Sequence, residues 1–262
     1  MKQWVEQGFT LIELIVVILI LSTVSVGVTS YIHFGIDVYL DTVGRDRQIG
    51  DSRFLISRMT RELREALPNS IRVNGSCIEF VAIGASSTYI VLPVAPQAAA
   101  AQVTLVLPAL TPELATSNKL VVYPLNPVEV YVDPDGSSGK VFLLGQVVSS
   151  GKSSAVIGLK NSVQFQSDSP TQRYFLIGSA VSYCVEGTDV IRYDSYWPIG
   201  PQQPPPASAQ VSLMAQNQVN NNPFNYHHDT LTRNAIAQLN FVFRYDDEDL
   251  ELFHEVHIVN VP

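Results

Sequence analysis

The sequence predicts an α+β protein, with one long N-terminal helix, membrane-spanning in its first half, packed on a mostly antiparallel β head. Three observations carry this. Residues 14–36 contain no acidic or basic side chain apart from His33. No proline occurs from Phe9 to Leu67. From Ile71 onward, helical spacing gives way to short apolar runs separated by turn residues.

The apolar run comes first. At about 1.5 Å per residue it crosses a hydrocarbon core of roughly 30 Å, which needs about 20 residues. A removable secretory signal has a shorter apolar stretch of roughly 7–15 residues behind a basic start. Here Glu6 offsets Lys2 and Glu13 stands at the front edge of the run. Small residues at 22–30 leave a conventional cleavage site open on composition alone.

The helix is expected to continue as an amphipathic extension over 37–67. Ile49, Ile56, Met59, Leu63 and Leu67 recur near helical spacing, and Arg58–Glu62 and Arg61–Glu65 are i,i+4 pairs. Pro68-Asn69 supplies a stop. Gly27, Gly35, Gly44 and Gly50 are weak points, each costing about 1 kcal/mol against Ala, so local melting or curvature is expected there. Arg45, Arg47, Arg53, Arg58, Arg61 and Arg64 interleave with Asp37, Asp41, Asp46, Asp51, Glu62 and Glu65. That mixture reads as a solvated or subunit-facing surface able to set register, not a nucleic-acid stripe.

Residues 68–262 form the head. Strands are expected at 76–83, 89–94, 102–107, 119–123, 128–132, 140–148, 155–159, 163–167, 173–176, 180–186, 190–193, 238–245 and 253–260. Turn signals join several of them, such as Asp133-Pro134-Asp135-Gly136 and Glu186-Gly187-Thr188-Asp189. Proline, glutamine and asparagine enrichment at 198–209 and 216–225 predicts a long exposed loop near 194–228, with a short helix or turn at 207–219.

Charge narrows the function. The formal net charge is −8. By direct count residues 9–72 carry seven basic and seven acidic groups, and residues 73–262 carry eight and sixteen, so the acidity belongs to the head. Nucleic acid is disfavoured as a partner, because phosphate binding asks for positive charge.

Motifs for chemistry fail on inspection. His254-Glu255-Val256-His257 has its histidines three apart, not the four of H-E-x-x-H. Gly151-Lys152-Ser153 lacks the leading glycine of a phosphate loop. Asp133, Asp135 and Gly136 match the front of a calcium loop but lack its closing glutamate. No catalytic residue, metal or cofactor is expected, and the chain does not read as an enzyme. Tyr193, Tyr196 and Trp197 beside Pro198 are candidate surface-binding aromatics, or else a strand end covering the core.

The junction before the apolar run is the most informative stretch. Gly8-Phe9-Thr10-Leu11-Ile12-Glu13 resembles the leader junction of type IV pilins and pseudopilins. The resemblance implies a type IV pilin-like fold. It also implies a leader at 1–8 removed by a prepilin peptidase after Gly8, N-methylation of Phe9, and retention of 9–36 as the transmembrane and filament-core helix. Glu13 would then serve subunit docking. A carboxylate in a membrane helix costs about 2.5–3.5 kcal/mol and needs a partner. The free amine of Phe9 on a neighbouring subunit is a suitable one. Snorkelling to headgroups is the alternative for the isolated chain.

Arg61–Ser70, Val181-Ser182-Tyr183-Cys184-Val185, Arg192-Tyr193 and the closing His254–Pro262 segment are similar to a minor pilin-like subunit of the mannose-sensitive haemagglutinin (MSHA) pilus. The implied partners are the prepilin peptidase, other minor pilins, the major pilin and the inner membrane. The head would lie in the periplasm and, after assembly, in a fibre at the cell surface. There a Cys77–Cys184 disulfide is the natural reading, and closing a loop of roughly 100 residues contributes about 4–5 kcal/mol at most. A minor pseudopilin of type II secretion and a pilus-tip adhesin acting through its head loops are the alternatives.

Overall fold

The computed structural model describes residues 8–108, 119–228, 233–246 and 248–258. The chain divides after Ile49 into two units. The first unit is helical from Leu11 onward. It belongs to α1 (Leu11–Arg64), which is unbroken through Gly27, Gly35, Gly44 and Gly50. The expected melting at the glycines does not occur. Each costs only a local increment, and helix propagates cooperatively from both sides. Residues 8–43 are all exposed, so the nearly charge-free run at 14–36 presents an apolar surface to its surroundings. Among the described residues α1 is the one helix long and apolar enough to cross a membrane. Its hydroxyls suit that setting, since Ser22, Thr23 and Thr29 donate to the carbonyls of Leu19, Ile20 and Ser25 at 2.8–2.9 Å. No hydroxyl of these three then needs water.

The second unit begins at Gly50 and contains the end of α1. Ser52, Leu55, Met59 and Leu63 recur three and four apart and are buried as one stripe. Each fully buried aliphatic contributes about 1.5–3 kcal/mol. The strands that follow are β1 (Arg72–Asn74), β2 (Cys77–Val91), β3 (Ala100–Val106) and β4 (Lys119–Val121). After a helical turn α2 (Pro127–Val130) come β5 (Ser138–Gly139), β6 (Val141–Ser150), β7 (Ser154–Phe165), β8 (Arg173–Glu186), β9 (Asp189–Tyr196) and β10 (Gln210–Ala215). The last three are β11 (Phe224–His227), β12 (Ala235–Tyr245) and β13 (Glu248–Ile258).

The main sheet runs β1-β2-β3-β7-β6-β4-β8-β9-β10, antiparallel except where β5 pairs with β7. Because β2 also pairs with β8, the path through β3, β7, β6, β4 and β8 returns to β2. That closure encloses a core including Val103, Leu105, Leu144, Ile157 and Phe165. A separate three-stranded sheet runs β11-β12-β13. Its inner residues Leu239, Phe241 and Val256 share one core with Leu55, Met59 and Leu63 of the helix and with Phe80 and Tyr183 of the main sheet. The helix end, the main sheet and the small sheet therefore pack as layers around one interior.

Several expectations need correction. The strand expected at 128–132 is the turn α2. Asn126 caps it by accepting the Glu129 N–H, and Pro127 at the first helical position presets the turn. The helix or turn expected at 207–219 is strand β10, paired with β9 through Val211↔Tyr193 and Leu213↔Ile191. The exposed loop expected near 194–228 includes the end of β9 together with β10 and β11, with Met214, Ala215 and Phe224 buried. Cross-strand pairing overrides the local composition there. The separate strands expected at 155–159 and 163–167 are one strand, β7, as are those at 173–176 and 180–186 in β8.

Candidate functional site

The start of α1 is built by its own residues. Gly8, Phe9 and Thr10 lie outside the helix and are exposed, Phe9 at 79 %. Thr10 takes the cap position. Its Oγ1 accepts the Glu13 N–H at 3.3 Å, and its carbonyl accepts the Leu14 N–H at 3.2 Å. Glu13 stands in the first turn, where the positive end of the helix favours a carboxylate. Its exposed position within an apolar surface leaves the side chain available to a group on another molecule. Thr10 is absent from the expected site residues, although Thr10-Leu11-Ile12-Glu13 has the spacing of a capping box.

A polar clamp fixes the last turns of α1 to the head. Glu62 Oε2 accepts from Tyr183 Oη at 2.9 Å and from Arg192 Nε at 3.1 Å, and Glu62 Oε1 accepts from Arg58 Nε at 3.0 Å. Arg192 also pairs with Asp194. Burial, followed by the nearby Glu62 charge, pushes the Tyr183 phenol well above its usual range. The Arg192 guanidinium is raised despite burial, because Glu62 and Asp194 hold its charge.

Cys77 and Cys184 stand directly opposite on β2 and β8, 4.1 Å apart at Cα, and their sulfurs are bonded. A buried network lies next to them. Glu79 is fully buried, pairs with Arg72 across the β1–β2 hairpin, and accepts from Tyr196 Oη at 2.6 Å. The hairpin turns at Gly75, whose φ of +57° favours glycine. Arg72 also donates to the Gly200 carbonyl at 2.6 Å and lies 3.6 Å over the Tyr131 ring.

The three candidate aromatics are engaged by the head itself. Tyr196 is buried on the Glu79 side. Trp197 donates through Nε1 to the Val132 carbonyl at 3.0 Å and carries Lys119 over its ring at 4.1 Å. Tyr193 donates to Glu186 and packs half-buried on the core. No exposed stacking platform results among these three.

The remaining motifs resolve as ordinary parts of the fold. Lys160 Nζ donates to Asp135 at 2.8 Å, and Asp133 accepts the Asp135 N–H at 3.0 Å, so the acidic turn is held by a lysine and its own backbone. His254 and His257 lie on opposite faces of β13, the first half-buried and the second exposed. Among the described residues no three His, Cys, Asp or Glu side chains gather to hold a metal. An open groove of about 450 Å³ is lined by Arg53, Ile56, Ser57 and Thr60 of α1 and by Leu252, Phe253 and His254 of β13.

Residues 5–29 match the prokaryotic N-terminal methylation motif. Comparison with curated proteins and with solved structures gives no match.

Proposed function

Starting from a prepilin-type methylation motif on an exposed apolar helix, we propose that the chain is a minor pilin taking part in assembly or initiation of a type IV pilus. The motif supports a type IV pilin- or pseudopilin-like protein. The finer reading adds cleavage after Gly8 by a prepilin peptidase and methylation of Phe9. It also adds docking of Glu13 on the Phe9 amine of a neighbouring subunit and a periplasmic head anchored in the inner membrane. Partners would be other minor pilins and a major pilin. The residues at 61–70, 181–185 and 254–262 resemble MshO and favour a pilus of the MSHA type.

The observation that carries the proposal is the junction itself. Six residues matching a leader junction sit at the entrance of an apolar surface that nothing in the described chain covers. An apolar surface of that length needs lipid or other helices. Glu13→Ala tests the docking role. Cleavage and membrane insertion should persist, while recovery of the subunit in sheared fibres falls at least about tenfold, from loss of a charge-assisted pair in low dielectric. Unchanged recovery removes the role given to Glu13. Deletion of the gene should abolish or reduce piliation, whereas a block in protein export with intact pili identifies a type II secretion pseudopilin instead.

A further inference from the structure

We propose that the open groove between α1 and β13 receives an extended segment of a different subunit, which pairs as a fourth strand with the free edge of β13. The inference rests on the preceding reading, which supplies neighbouring subunits.

Three features of the groove point to a strand. First, Leu252, Phe253 and His254 all line it. Successive side chains of a strand point to opposite faces, so three consecutive residues share one groove only along the strand's edge. Second, that edge is free. β13 pairs with β12 from Glu248 to Ile258 and with no other strand among the described residues. Its outward N–H and C=O groups are a template for another extended chain. Third, His254 lines the groove, and its Nε2 is buried without a hydrogen-bond partner. A buried polar nitrogen calls for a partner, which an added strand can bring. Apolar contact area is also left uncovered. Ile56 on the helix wall and Leu252 on the strand wall are half-buried, and Phe253 is 63 % exposed.

Charge decides which strand fits. On the helix wall Arg53 is exposed and has no ion-pair partner among the described residues. Arg61 and Arg64 continue the same exposed helix face. On the outer face of β13, Glu251 and Glu255 are exposed. A complementary strand therefore carries an acid and apolar residues on the side facing α1, and Lys or Arg on the other side. The same two acids exclude self-pairing. Two β13 edges joined antiparallel about Phe253 would set Glu251 against Glu255, like charge against like. The occupant is thus a different subunit and not a second copy.

The test uses the full chain in cells that assemble the fibre. A photoreactive benzoylphenylalanine replaces Phe253 or, as a control, Val211 of β10, which is also exposed. Irradiation should join position 253, and not position 211, to one segment of a different subunit, identified by tandem mass spectrometry of the joined peptide. Arg53→Glu should lower the yield about fivefold, and reversing the acid in the joined segment should restore it. The β13 amides should exchange at least about tenfold more slowly in sheared fibres than in the isolated chain in detergent. Joining to lipid, to a second copy or to nothing overturns the proposal. So does equal joining from position 211, a yield indifferent to Arg53→Glu, or equal β13 exchange in the two states. A chain that retains residues 1–8 overturns the proposed function itself, which separates the two failures.

Discussion

Glu62 shows how much one side chain can organise. It accepts from Tyr183, Arg192 and Arg58 at once, and so bonds the last turns of α1 to strands β8 and β9. Glu62→Gln should lower the unfolding free energy by about 2–3 kcal/mol, since Arg192 would lose its charge partner on the helix in a largely buried site. Urea unfolding of the detergent-solubilised chain measures this, and a double-mutant cycle with Arg192→Ala should return a favourable coupling. An additive cycle means the clamp contributes nothing specific. Single residues also differ in how openly the sequence declares them. Gly8, Phe9, Thr10 and Glu13 are contiguous, so their pattern is readable directly. Arg58–Glu62 is readable as an i,i+4 pair. The Glu62–Arg192 contact joins residues 130 apart, and no local period encodes it. The Arg72–Glu79 pair falls between these cases. The two-residue turn Gly75-Ser76 sets a hairpin register that places position 72 opposite 79, so the pairing follows once that turn is recognised.

At the scale of elements, the helix was legible because one chemical character persists over many turns, while the strands were legible only in part. The expected apolar stripe included Met59 and Leu63 but omitted Leu55, which is fully buried. Strands interrupted by polar residues, such as Lys160-Asn161-Ser162 within β7, were divided because period and polarity are local signals, whereas the pairing that keeps β7 whole is not. The same limit hid β10 and β11 within a stretch whose composition suggests a loop. The strands carry a testable titration. Burial, aided by the Asp168 partner, pushes Tyr89 on β2 up to about 12, burial does the same for Tyr174 on β8, and burial with Glu186 does so for Tyr193 on β9. The folded state thus holds these phenolic protons more tightly than the unfolded chain, whose tyrosines titrate near 10.0. Their contribution is intact below that pH and is lost as pH rises from about 10 toward 12. Unfolding midpoints should fall across that interval together with a rise in tyrosinate absorbance. A constant midpoint across it contradicts the assignment.

The whole molecule separates two kinds of surface. Residues 9–72 are neutral by count, and their first part is an exposed apolar helix. Residues 73–262 hold the entire −8 on a β-rich head with a strand ring closed through β2 and β8, a closure no composition signal announces. Such a partition suits a subunit whose helix is buried with lipid or neighbours while its head stays solvated. Assembly as a pilin-like subunit depends first on where the chain is cut. Intact-mass and N-terminal peptide mass spectrometry of the protein recovered from membranes tests it most directly. The expected product is a chain beginning at Phe9, carrying one methyl group on its amine and retaining the apolar run. A chain still beginning before Gly8, or one that has lost the run, would contradict it.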